Sequence, residues 1–125
     1  MERDPHYKQD ILDAIVRIQK ITRGMRYDSF RNNDVVSRAV LYDLIIIGEA
    51  AKRLSSLFKK RYIEVPWKNI AGFRDKAVHD YSTMNVAVVW DTITGDLPFL
   101  YSELTKNDEP QGSPRKRVSG QRRRT

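Results

Sequence analysis

The chain is predicted to fold as an all-α protein, a bundle of four long helices or five if the last one is split. Three observations carry that prediction. Apolar residues recur at spacings of three and four from Ile11 to Leu104. No stretch alternates apolar and polar residues for long enough to make a strand, and no hairpin signal interrupts the pattern. Helix-starting residues and prolines stand where the periodic stretches begin.

Taken in order, Asp4 is expected to cap a first helix with Pro5 at its first position, and Ile11, Ile15 and Ile18 form its apolar stripe. That helix should span about 5–22. Gly24 and the polar Asp28-Ser29 region break it. Asn32 or Asn33 can cap a second helix through Val36, Val40, Ile47, Ala51 and Leu54, reaching about residue 58. Between Ala39 and Ile47 this helix is apolar on nearly every side, so bundle neighbours or a second subunit should cover several of its faces. Pro66 presets a third helix with Trp67, Ile70, Phe73 and Ala77 on one stripe. Asn85 caps a last segment carrying Val86, Val89, Ile93 and Leu97, which Gly95 and Pro98 should kink or split before Leu100 and Leu104.

Composition bounds what such a bundle can do. The chain has 125 residues, 40% of them hydrophobic and 31% charged, which suits one domain with one core. No apolar run approaches the ~20 residues that cross a bilayer. There is no cysteine, which excludes a disulfide-stapled scaffold, and the opening Met-Glu-Arg-Asp-Pro-His lacks the apolar core of a secretory signal. A cytoplasmic location is the expectation.

The net charge of +7 is unevenly distributed. Arg115, Lys116, Arg117, Arg122, Arg123 and Arg124 account for six of those charges within residues 110–125, which contain no acid, leaving about +1 for the rest. The chain therefore divides into a helical domain over 1–107 and a basic C-terminal tail over 108–125. With Pro110, Gly112, Ser113, Pro114 and Gly120 among its charges, the tail has little to bury and is expected to be disordered. It is either a solvated end or a flexible arm with non-specific affinity for RNA phosphates.

Reactive groups concentrate in Arg74-Asp75-Lys76-Ala77-Val78-His79-Asp80-Tyr81, on the predicted third helix. The chain has no glycine-rich phosphate loop, and the one other histidine, His6, lies near a terminus. An imidazole titrating near neutral pH suits general acid–base work, and a guanidinium suits phosphate, to which it presents paired donors. On a regular helix Arg74 and Tyr81 fall within roughly 20° of each other, whereas His79 lies about 140° from Arg74. Either the helix distorts between about 79 and 83, or the two groups reach a cleft from its flanks with a twofold mate supplying a second set.

Each residue also has an ordinary structural role open to it. His79 can bond Asp75 or Asp80, Arg74 can pair with Glu49 or Asp75, and Tyr81 can be an amphipathic core residue. Glu49 can orient Arg74 or simply face solvent, and its neighbour Gly48 permits close helix approach. One histidine with scattered carboxylates makes no recognisable metal set.

Several motifs occur in order: Ile47-Gly48-Glu49-Ala50-Ala51-Lys52, Pro66-Trp67, Ile70-Ala71-Gly72-Phe73-Arg74, His79-Asp80-Tyr81, Val89-Trp90 and Asp96-Leu97-Pro98. In these the chain resembles the HepT-like branch of the HEPN superfamily, small helical bundles paired with minimal nucleotidyltransferases. The resemblance covers nearly all of residues 5–105, and the family's motif of arginine, four residues, histidine, one residue and tyrosine maps without a gap onto Arg74, His79 and Tyr81. Two positions depart from it: Asp75 stands where the family often has asparagine, and Asn85 where it often has aspartate.

The resemblance implies a metal-independent endoribonuclease toxin with no cofactor, acting on RNA from the cleft of a homodimer, with Arg74 and His79 catalytic. It further implies an MntA-like nucleotidyltransferase antitoxin that adenylylates Tyr81, with Asp75, Asp80 and Glu49 as supporting residues. Two other classes remain open on the sequence. One is a non-catalytic helical adaptor for the nucleotidyltransferase, and the other is a nucleotide-binding module in which Arg74 holds a free nucleotide phosphate.

Overall fold

The computed structural model describes residues 2–79 and 85–106, the side chains of Val78 and His79 excepted. Among these residues every regular element is helical: α1 (Asp4–Ile21), α2 (Tyr27–Arg31), α3 (Asp34–Arg53), α4 (Ser56–Arg61), α5 (Trp67–His79), α6 (Val86–Asp91), a π-helical turn (Thr92–Asp96) and α7 (Leu97–Thr105). The four predicted long helices are α1, α3, α5 and the α6–π–α7 run. The predicted tail and the predicted distortion after His79 lie outside the described residues.

The central element is α3, which packs against α1 on one side and α5 on the other. Its stripe of Val40, Leu44, Ile47 and Ala51 meets Ile11, Ile15 and Ile18 of α1 and Ile70 of α5 in one buried core, closed by Leu97, Leu100 and Leu104 of α7. A fully buried aliphatic side chain contributes about 1.5–3 kcal/mol, so this core and not helix propensity holds the bundle together.

Local signals set the boundaries. The Asn33 side chain accepts a hydrogen bond from the Val36 backbone N–H at 3.0 Å and starts α3, while Asn85 accepts from Ala87 and Val88 and starts α6; such caps are each worth about 1 kcal/mol. Gly24, at φ 76°, reverses the chain after α1 in a conformation that side chains disfavour. Pro98 lies in the first turn of α7. Continuing an α-helix through it would remove one backbone bond and press its ring on the carbonyl of Thr94, and the wide turn at Thr92–Asp96 relieves that conflict.

Three boundaries differ from the sequence reading. The second predicted helix stops at Arg53 and not near 58, because Leu54 is extended and the Ser55 hydroxyl caps the separate α4 by accepting from the Phe58 N–H. The Asp28-Ser29 region is not a simple break but lies in α2, whose Phe30 is fully buried. Asp4 is not the cap of α1. It lies within the first turn, buried, and its carboxylate accepts from the Ser55 backbone N–H at 2.9 Å and the Ser55 hydroxyl at 2.6 Å, tying the start of α1 to the start of α4. Burial opposes its ionisation, but the positive amino terminus and the Ser55 donors outweigh that and hold its pKa down at about 2.

The outer face of α3 stays open in the single chain. Val35, Ala39, Tyr42 and Ile46 follow one another at helical spacing; Val35 is 78% and Tyr42 65% exposed, and Ile46 is half-buried. The next residues on that line are Glu49 and Arg53.

Candidate active site

Arg74 sits at a close approach of α3 and α5, and Gly48 is the reason they can come so near. A Cβ added to Gly48 would lie 2.6 Å from the Arg74 backbone N and 2.8 Å from its Cβ, so no side chain fits between the helices there. The arginine is thereby seated against α3, with its side chain 35% exposed at the seam.

Two carboxylates then fix its direction. Nε of Arg74 lies 2.5 Å from Glu49 Oε2, and Nη1 lies 3.1 Å from Asp75 Oδ1. Two further cations complete the cluster: Lys52 Nζ is 3.2 Å from Asp75 Oδ1, and Arg53 Nη2 is 3.6 Å from Glu49 Oε1. Both structural partners open to Arg74 on the sequence are thus occupied at once, and Glu49 does not merely face solvent.

The charges respond to this arrangement. The hydrogen bond from Arg74, then that from Lys52, lowers the Asp75 carboxyl below its ordinary value. The bond to Asp75 and the charge of Glu49 in turn raise Arg74 above its own. Asp75, where related chains were expected to carry asparagine, is therefore an ionised partner of two cations at neutral pH. With three positive and two negative side chains, the cluster retains a net charge of +1.

A guanidinium has five N–H donors in one plane. One on Nε and one on Nη1 engage the carboxylates, and among the described residues no partner takes the others. Glu49 and Asp75 hold Nε and Nη1 and so fix the plane of the group, while Nη2, with two N–H donors, has no partner among the described residues and can donate to phosphate oxygen.

His79 lies on α5 five residues beyond Arg74, and its side chain is outside the described set, as are Asp80 and Tyr81. Among the sequence-predicted site residues, the structure brings Glu49, Arg74 and Asp75 together. Lys52 and Arg53 were not singled out from the sequence. The Glu49–Arg53 pair has the i,i+4 spacing that could have revealed one of them, but the Lys52–Asp75 contact spans 23 residues and has no local signal.

No group of three or more His, Asp or Glu that could hold a metal occurs among the described residues. No helix among them is long and apolar enough to cross a membrane.

These features define a small all-α bundle protein with a cationic cluster on the seam between its two central helices. Comparison with known proteins gives the family: residues 11–106 match the model described as ribonuclease HepT-like, and the chain belongs to that family. It is 37% identical over 100 residues to a protein of Thermococcus cleftensis named "Probable ribonuclease HepT", covering 80% of this chain and 91% of that one. It is 36% identical over 98 residues to "Putative RNase TTE0752" of Caldanaerobacter subterraneus subsp. tengcongensis, covering 78% and 88%. A Methanocaldococcus jannaschii protein with a similar name is 35% identical over 97 residues, covering 78% and 80%. No solved structure matches the chain.

Proposed function

We propose that this chain is a metal-independent endoribonuclease in which Arg74 clamps the scissile phosphate and His79 moves the protons. The observation that supports it most is the seating of Arg74 against Gly48, directed by Glu49 and Asp75 with further donors that no described residue takes, five residues before a histidine in a chain of the ribonuclease HepT-like family.

In the first step an imidazole of His79 takes the proton of the ribose 2′-hydroxyl, and the 2′-oxygen attacks the adjacent phosphorus. Arg74 stabilises the charge that builds on the non-bridging oxygens. The bond to the 5′-oxygen breaks, and that oxygen takes a proton from an imidazolium. The products are a 2′,3′-cyclic phosphate and a 5′-hydroxyl, with atoms and protons balanced and no redox change.

A second copy of the chain fits this reading. The open stripe of Val35, Ala39, Tyr42 and Ile46 on α3 runs directly into Glu49, so a twofold partner packed on it would bring two Arg74–His79 sets toward one cleft. Tyr42→Glu would put a charge into that seam, and sedimentation equilibrium should then show a monomer where the wild-type chain is a dimer; a wild-type monomer would remove the shared cleft.

The same reading gives Tyr81 a regulatory role. An MntA-like nucleotidyltransferase antitoxin would neutralise the toxin by adding adenylate to the phenol, placing phosphate near Arg74 where it competes with RNA. Exposure to ATP and the nucleotidyltransferase should raise the mass of the Tyr81 peptide by adenylate and suppress cleavage together.

The test of the activity itself is digestion of single-stranded RNA in the presence of a chelator. We expect fragments ending in 2′,3′-cyclic phosphate. RNA or nucleotide binding without cleavage, whether or not a divalent metal is supplied, would point instead to an adaptor or a nucleotide-binding module.

A further inference from the structure

The folded domain carries only about +1, yet its positive charge is not evenly spread. From Lys52 to Lys68 the chain holds Lys52, Arg53, Lys59, Lys60, Arg61 and Lys68 against the single acid Glu64, a local excess of +5. This segment is the end of α3, the whole of α4 and the start of α5. It abuts the Arg74 cluster directly, because Lys52 and Arg53 bond the two carboxylates that hold Arg74.

We propose that Lys52 and Arg53, continued by Lys60 and Arg61 of α4, form a phosphate track that grips the RNA strand beyond the bond cut at Arg74. The proposal rests on the ribonuclease reading above and adds the path of the substrate to it. Lys52, Arg53, Lys60 and Arg61 are all exposed, and α4 follows α3 after only Leu54 and Ser55, so the cations continue one another in sequence with no intervening acid.

The aromatic residues of this region indicate how the strand is held. Phe58 and Tyr62 are buried, and Trp67 is half-buried, with its ring packed edge-on to Phe58 and its N–H donated to the Tyr62 carbonyl. Arg61 lies over the Phe58 ring, 5.4 Å from its centre. These rings are committed to the core and offer no open platform for stacking bases, as sequence-reading single-strand binders do. The track therefore recognises backbone phosphate and contributes affinity without sequence preference.

Lys52 has a competing role, which is merely to neutralise Asp75. A double-mutant comparison separates the two. The probe is a short single-stranded RNA with 2′-O-methyl groups, which cannot be cut, and its affinity for the full chain is measured by fluorescence anisotropy over a range of salt. Lys52→Ala/Arg53→Ala should weaken binding roughly tenfold and reduce the slope of log affinity against log salt by about 1.4, at ~0.7 for each lost single-strand contact. Lys60→Ala/Arg61→Ala should reduce the slope by a similar amount.

In an Asp75→Asn background, Lys52→Ala should still weaken binding. If its effect vanishes there, or if both double variants keep the wild-type slope, or if the wild-type chain does not bind the probe, the track is wrong. Failure of the ribonuclease reading shows separately, as binding of the uncuttable RNA with no cleavage of its unmodified counterpart.

Discussion

Arg74→Lys is expected to reduce RNA cleavage by about 10²–10³-fold, the range seen when one transition-state donor is removed, even though the positive charge is kept. Lysine offers a point charge with donors on one nitrogen, whereas Arg74 uses Nε for Glu49 and Nη1 for Asp75 and keeps further donors in the same plane for phosphate. A lysine ammonium seated between those two carboxylates would be directed away from the substrate. The loss should fall mainly on kcat with a smaller change in KM, because the contact matters most as charge develops on the phosphorane. Activity within threefold of wild type would mean that Arg74 serves only the ion-pair cluster. Asp75→Asn provides the contrasting case: it removes a negative charge beside the clamp while keeping an oxygen that can accept from Nη1, so cleavage should be retained or increased.

Gly48→Ala should have a comparably large effect by a different physical route. The added methyl would meet the backbone N and the Cβ of Arg74 at distances no packed structure tolerates, and neither atom can swing aside as a flexible side-chain tip could. The α3–α5 pair must separate, at a cost of about 1–3 kcal/mol by analogy with overpacked cores. For a domain of this size, each 1 kcal/mol lowers the thermal midpoint by roughly 4–8 °C. Separation also moves Arg74 away from Glu49, so activity should fall further than stability alone explains, and a folded variant at low temperature should still cleave poorly. Circular dichroism melting and cleavage rates measured on the same preparation test both parts. A variant with wild-type midpoint and wild-type rate would contradict the close approach.

Much of the bundle was legible because its signals are local. The caps at Asn33 and Asn85, the proline start of α5, the apolar stripes of α1 and α3 and the disruption near Gly95 and Pro98 all depend on residues within a turn or two. What escaped depends on distant partners. Asp4 has the sequence context of a cap, but it meets Ser55 fifty-one residues away, and that contact together with the Ser55 cap ends α3 early. The isolated Phe30 does not reveal that α2 buries it, because the space it fills is created by α3 and α6. At the site, Gly48, Glu49 and Arg74 could be identified from motif and residue type, while the Lys52–Asp75 pair arises only once α3 and α5 are packed together.

An imidazole working beside a seated guanidinium is expected to cut RNA without a bound ion. His79→Ala tested against wild type in chelator addresses it most directly, with RNA cleavage, RNA binding and the thermal midpoint followed on the same preparations. The wild-type chain should yield cyclic-phosphate fragments and the variant should lose cleavage on the order of 10²–10⁴-fold, with binding and midpoint close to wild type. Equal cleavage by both proteins, or cleavage by wild type only after a divalent metal is restored, would contradict it.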